Sequence, residues 1–117
     1  MPDGPESNAD HPTLALDELI HQRTRLGILT VLAEAGRSDF AYLRDTLRLT
    51  DGNLSRHLQT LADAQLLTVD KVFEKRRPRT WVEITETGRA ALDTQIEVLR
   101  DLLARVERGR DHSKEQQ

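Results

Sequence analysis

The chain has 117 residues, of which 37% are hydrophobic, 3% aromatic and 32% charged, with a net charge of −3. That bounds it to about one domain whose interior rests on Leu, Ile, Val and Ala. The absence of cysteine excludes disulfides, thiolate metal sites and a cysteine nucleophile. No apolar run approaches the ~18 residues of a membrane span, and the start MPDGPESNADHP lacks the basic and apolar regions of a signal peptide, so a cytoplasmic protein is expected.

Residues 1–12 hold three prolines, a glycine and three acids, too little apolar surface to offset the entropy of ordering, and read as a disordered tail. The last nine, GRDHSKEQQ (109–117), read as a second such tail. The domain is expected between them, over 13–108. Its first helix is LALDELIHQRTRLGILTVLAEAG, with Leu16, Leu19, Ile20, Leu26, Ile28, Leu29, Leu32 and Ala33 mostly three or four apart and Gly36 as the stop. The apolar stripe is wider than one packing partner requires, and the polar HQRTR within it offers a place for a bend or a boundary between two helices.

In SDFAYLRDTLRLT, Ser38 and Asp39 are cap-type residues ahead of Phe40, Leu43 and Leu47, which predicts a short second helix. Thr50 then caps a third, with Asn53 where a capping-box partner sits. In that helix Leu54, Leu58, Leu61 and Ala62 share one arc, while Gly52, Asn53, Arg56, Thr60 and Asp63 lie opposite, with Gln59 beside them. Next, LLTVDKVFE and TWVEIT read as two strands joined by the basic EKRRPR, with Pro78 in the loop or at the strand's first position. From Lys71 to Arg79 five cations stand against Glu74 alone, a patch that attracts phosphate despite the acidic total. The final helix has Thr85 or Thr87 as its cap and a seam at Leu92, Ile96, Leu99, Leu103 and Val106, spaced 4, 3, 4, 3.

The fold class is therefore mainly α with a small β-hairpin (α+β), a winged helix-turn-helix in the order helix, helix, helix, strand, strand, helix. A polar-faced helix after a short turn suits the major groove, where Arg forks onto guanine and Asn or Gln pairs with adenine. The expected contacts are Asn53, Ser55, Arg56, Gln59 and Thr60 from a recognition helix over 51–65. A basic wing over 71–80 adds Lys75, Arg76, Arg77 and Arg79, on the backbone or in the minor groove. A homodimer interface is expected at Leu16, Leu19, Leu92, Ile96, Leu99, Leu103 and Val106.

The strings LSRHLQTLADAQLL and RRPRTWVEITETGRAAL resemble winged-helix transcriptional regulators of the MarR and ArsR type, above all the short stand-alone group close to MarR. The resemblance covers about residues 15–92 and implies a dimeric regulator on a palindromic operator of double-stranded DNA. Gln65 stands where such proteins usually have glycine. The thiolate metal sensing of one branch does not carry over, because its cysteines are missing.

Other readings weigh less. An ion pair or a snorkelling stem suits Arg23 and Arg25 better than a phosphate contact, and His57 divides evenly between a phosphate and a backbone carbonyl. No two of His11, His21, His57 and His112 have i, i+4 spacing, so no metal or other cofactor is expected. Nor is an enzyme, since there is no Gly-rich phosphate loop and no nucleophile context. A winged-helix protein interaction module without sequence-specific DNA binding is the alternative. A small-molecule effector between dimer helices and DNA-binding lobe is compatible with the pattern but not indicated by it.

Overall fold

The computed structural model describes residues 12–115, with side chains over 21–112. Four helices and a small antiparallel sheet follow one another in the order α1 (Pro12–Ala35), β1 (Arg37–Asp39), α2 (Phe40–Leu47), α3 (Asp51–Asp63), β2 (Leu67–Glu74), β3 (Arg77–Ile84), α4 (Glu86–Glu115). This is the expected α+β fold with one strand more. The added strand is β1, whose three residues are too few to show alternation. It pairs with β3 through Ser38 opposite Val82, giving the sheet order β1-β3-β2. Ser38 is thus a buried strand residue, and Asp39 alone caps α2, its side chain accepting from the Tyr42 N–H at 2.8 Å.

α1 is a single helix, without the boundary that HQRTR offered. Pro12 occupies its first position, where the missing N–H costs nothing, and Gly36, at φ +83, ends it. The core consists of Ile28, Leu29 and Leu32 from α1, Leu43 from α2, Leu54, Leu58 and Leu61 from α3, Leu67, Val82 and Ile84 from the sheet, and Leu92 from α4. Leu16 and Leu19 lie outside the residues with described side chains. α4 continues through Gly109 to Glu115, where a frayed tail was expected. No proline interrupts it there, and a lone glycine weakens a helix without ending it.

The end of α3 fixes how the remaining elements meet. Gln65 takes a left-handed φ of +64, so Leu66 N–H reaches the Leu61 carbonyl at 2.9 Å and Gln65 N–H that of Ala62 at 2.9 Å. Glutamine thus serves where glycine is usual, at a cost of about 1 kcal/mol. Thr85 closes the join, donating its hydroxyl to the Gln65 carbonyl at 2.7 Å and its N–H to that of Leu66 at 3.1 Å. The same hydroxyl accepts from the Gly88 N–H at 2.9 Å and so caps α4. Gly88 is buried against Leu66, and a Cβ there would overlap the Leu66 carbonyl oxygen.

Two stability measurements check this account. Gly88→Ala forces α4 off the end of α3 and is expected to lower the unfolding free energy by about 1–3 kcal/mol in urea titrations; an unchanged midpoint would show that the contact opens freely. Asp39→Ala is expected to cost about 1 kcal/mol at neutral pH through the lost cap. The Tyr42 N–H first, and Arg79 second, hold the Asp39 carboxyl below its ordinary 3.8. Its contribution is therefore complete above that value and lost as pH falls through the lower folded one, so the two proteins should converge in strong acid.

Candidate nucleic-acid interface

α2 and α3 are joined by a tight turn. Arg48, at φ +55, ends α2 with Leu49 N–H bonded to the Arg44 carbonyl at 3.0 Å, and Thr50 opens α3 by accepting from the Asn53 N–H at 3.1 Å. Only half of the expected capping box forms, because the Asn53 side chain turns outward to accept from Arg56 Nη2 at 2.6 Å. Arg44 ties the turn together from outside, bonding both Asp45 and Asp51 at 3.0 Å.

Asn53, Ser55, Arg56, Gln59 and Thr60 are all exposed, while Leu54, His57, Leu58 and Leu61 are buried. Short-range hydrogen bonds tether three of the outward groups: Arg56 to Asn53, Gln59 Nε2 to Asp63 at 2.8 Å, and the Thr60 hydroxyl to the Arg56 carbonyl at 3.1 Å. The face is ordered, yet each donor-acceptor pair is open to water and exchangeable for a base edge or phosphate.

The hairpin reaches its tip at Lys75 and Arg76, a two-residue turn closed by the Glu74–Arg77 pair. Both tip residues have left-handed φ, +49 and +64, the pattern of a type I′ turn in which Asn-Gly is the favoured pair. Two cations sit here instead, each at a backbone cost of about 1 kcal/mol. Lys75, Arg76 and Arg77 are exposed.

Arg79 is placed differently from those three. It bonds Asp39 on β1 at 2.9 Å and lies over the Trp81 ring at 4.5 Å, while Arg37 covers the same ring at 4.0 Å and Glu74 accepts from the indole N–H at 2.6 Å. Cation–π contacts of this kind contribute about 0.5–2 kcal/mol each. Arg79 thus braces the base of the wing. No local pattern signals this brace, since it needs β1 beside β3.

The apolar seam of α4 divides in two. Leu92, expected at the interface, is only 5% exposed and packs in the chain's own core, and Ile96 packs against that core. Beyond them Val98, Leu99, Leu102, Leu103 and Val106 are 42–60% exposed. Arg25 forms no salt bridge among the described residues, its Nε being buried without a hydrogen-bond partner. His57 meets the His21 ring edge-on at 5.4 Å. Among the described residues no group of three or more His, Asp or Glu could hold a metal ion, and no helix is long and apolar enough to cross a membrane.

Comparison with known proteins agrees with this architecture. An uncharacterized protein of Methanocaldococcus jannaschii is 32% identical over 90 residues, 77% of this chain and 98% of its own length. The structure of a transcriptional regulator homologue from Pyrococcus horikoshii is 30% identical and matches with a TM-score of 0.67, covering 78% of this chain and 95% of its own. MosR, a transcriptional regulator of M. tuberculosis solved in complex with DNA, is 25% identical with a TM-score of 0.59, covering 71% of this chain and 59% of its own. The family model described as a winged helix DNA-binding domain matches residues 24–103, and the chain belongs to that family.

Proposed function

We propose that the protein is a homodimeric transcriptional regulator, acting in the cytoplasm, that binds a palindromic operator in double-stranded DNA. The observation that carries this reading is the outward presentation of Asn53, Ser55, Arg56, Gln59 and Thr60 by a helix whose other side is locked into the core. Arg56 and Asn53 read base edges, Gln59 and Thr60 extend the contact along the groove, and Ser55 holds a phosphate on the flank. The likeness to a regulator solved in complex with DNA supports a DNA partner. The family is a DNA-binding one, so no catalytic role is assigned.

The wing supplies sequence-independent attraction. Lys75, Arg76 and Arg77 lie along the backbone or in the adjoining minor groove, and Arg79 serves from the base by holding the hairpin's angle. Keeping two cations at left-handed positions, where asparagine and glycine would be unstrained, is sensible when their charge is needed at the tip.

The exposed stripe from Val98 to Val106 supports the second copy. Contiguous apolar side chains with heptad-like spacing require a facing helix, and the same stripe on another subunit supplies one by two-fold symmetry. Such a pair sets two copies of α3 about 34 Å apart, one turn of DNA.

Arg56→Ala is expected to cost about 1–3 kcal/mol against the preferred operator and to relax its sequence preference, measured by enrichment of bound duplexes from a random pool. Arg77→Ala should weaken binding to all duplexes and lower the salt slope by about one; an unaltered slope rules out the wing contact. Leu99→Glu combined with Leu103→Glu should convert a two-chain mass to a one-chain mass in analytical ultracentrifugation and weaken operator binding. A wild-type protein that sediments as one chain at operator-binding concentrations would dispose of the dimer.

A further inference from the structure

Two histidines 36 positions apart in sequence meet where α1 crosses α3. His21 and Arg25 from α1, with Arg56, His57 and Thr60 from α3, line a cleft of about 200 Å³. None of the five is acidic. Arg25 and Arg56 carry permanent charge, and His57 is 91% buried, its residue exposure being 9%. Arg25 Nε lies buried with no hydrogen-bond partner, a state that native structures rarely leave without an ion or water to relieve it.

Like charges gathered in a half-closed space repel one another unless an anion sits among them. The imidazole of His57 registers that field: burial, then Arg25, His21 and Arg56, hold its pKa below the usual histidine value. A cation is repelled by the two guanidinium groups, and an apolar ligand would leave the cleft's donors unpaired. What remains is a compact group with negative charge and several acceptor oxygens, the chemistry that guanidinium forks match best.

We infer that the cleft is an oxyanion site, shaped for a phosphate group that Arg25 and Arg56 seat and the two imidazoles contact. Its geometry stands independently of the proposed DNA binding. Its consequence for DNA rests on that reading, because Arg56 belongs both to this cleft and to the outward face of α3. The same phosphate chemistry has two sources, the backbone of a bound duplex and a free phosphate-bearing molecule.

Side-chain NMR of His21 and His57 in the full-length protein, without DNA, tests the site by titrating sodium phosphate against sodium chloride at equal ionic strength. The expected result is a saturable shift of both rings in phosphate that chloride does not reproduce. The His57 titration midpoint should rise, since a seated anion offsets Arg25 and His21 on α1 and Arg56 on α3. Phosphate affinity should fall about tenfold or more in Arg25→Gln, with partial recovery in Arg25→Lys. No saturable shift in the wild type, or phosphate affinity in Arg25→Gln and Arg56→Gln that stays at the wild-type value, overturns the site and leaves the DNA reading untouched. Duplex titration of Arg25→Gln then separates the sources, either of which is compatible with the site. A salt slope reduced by about one identifies the backbone phosphate, and unchanged duplex affinity identifies a free phosphate-bearing molecule.

Discussion

The carbonyl of Leu66 is where the parts of this molecule meet. It accepts the Thr85 N–H and lies against Gly88, so the residue that leaves α3 is fastened to the residues that begin α4. The left-handed turn at Gln65 brings Leu66 to that place, and the Thr85 hydroxyl satisfies both the Gln65 carbonyl and the Gly88 N–H. Five polar groups are thereby paired in one crowded junction, where the buried ones would be costly left alone. A helix that presents groups to a partner needs a fixed axis, and this junction supplies it at one end while the Thr50 cap supplies it at the other.

Charge is distributed to the same purpose. The chain is acidic overall, and its acids largely occupy helix surfaces and caps, such as Asp39 at the start of α2 and Asp51 in the first turn of α3. Cations outnumber acids at two places, Lys75, Arg76 and Arg77 at the wing tip and Arg25 and Arg56 between α1 and α3, while those of α4 alternate with acids along that helix. Under the proposed function these two patches are what meets the polyanion, and the acidic remainder holds the rest of the surface away from it.

Much of this was legible in the residues. The stripe Leu54, Leu58, Leu61 placed α3 and its outward side correctly, and strand alternation placed the hairpin, because both signals are local periodicities, but the loop expected over EKRRPR shrinks to Lys75-Arg76, with Arg77, Pro78 and Arg79 paired in β3. What escaped was tertiary. β1 is defined only by its pairing with residues 81–83, the tie between Arg79 and Asp39 spans 40 positions, and His21 meets His57 only after α1 packs across α3. The α4 seam shows the same limit, since a heptad pattern reads alike whether the facing surface is the chain's own core, as for Leu92, or lies outside it, as beyond Ile96.

The length of α4 acquires a mechanical meaning from its anchorage. Its first turn is pinned to the end of α3 by Thr85 and Gly88, while its far half carries its apolar side chains in solvent. A 30-residue helix is about 45 Å long, so a tilt of about 5° at the pinned end swings the other end through about 4 Å. The relation runs both ways: whatever grips the distal half steers the bearing of α3 through a rigid lever, and α3 cannot be reoriented without moving that distant grip.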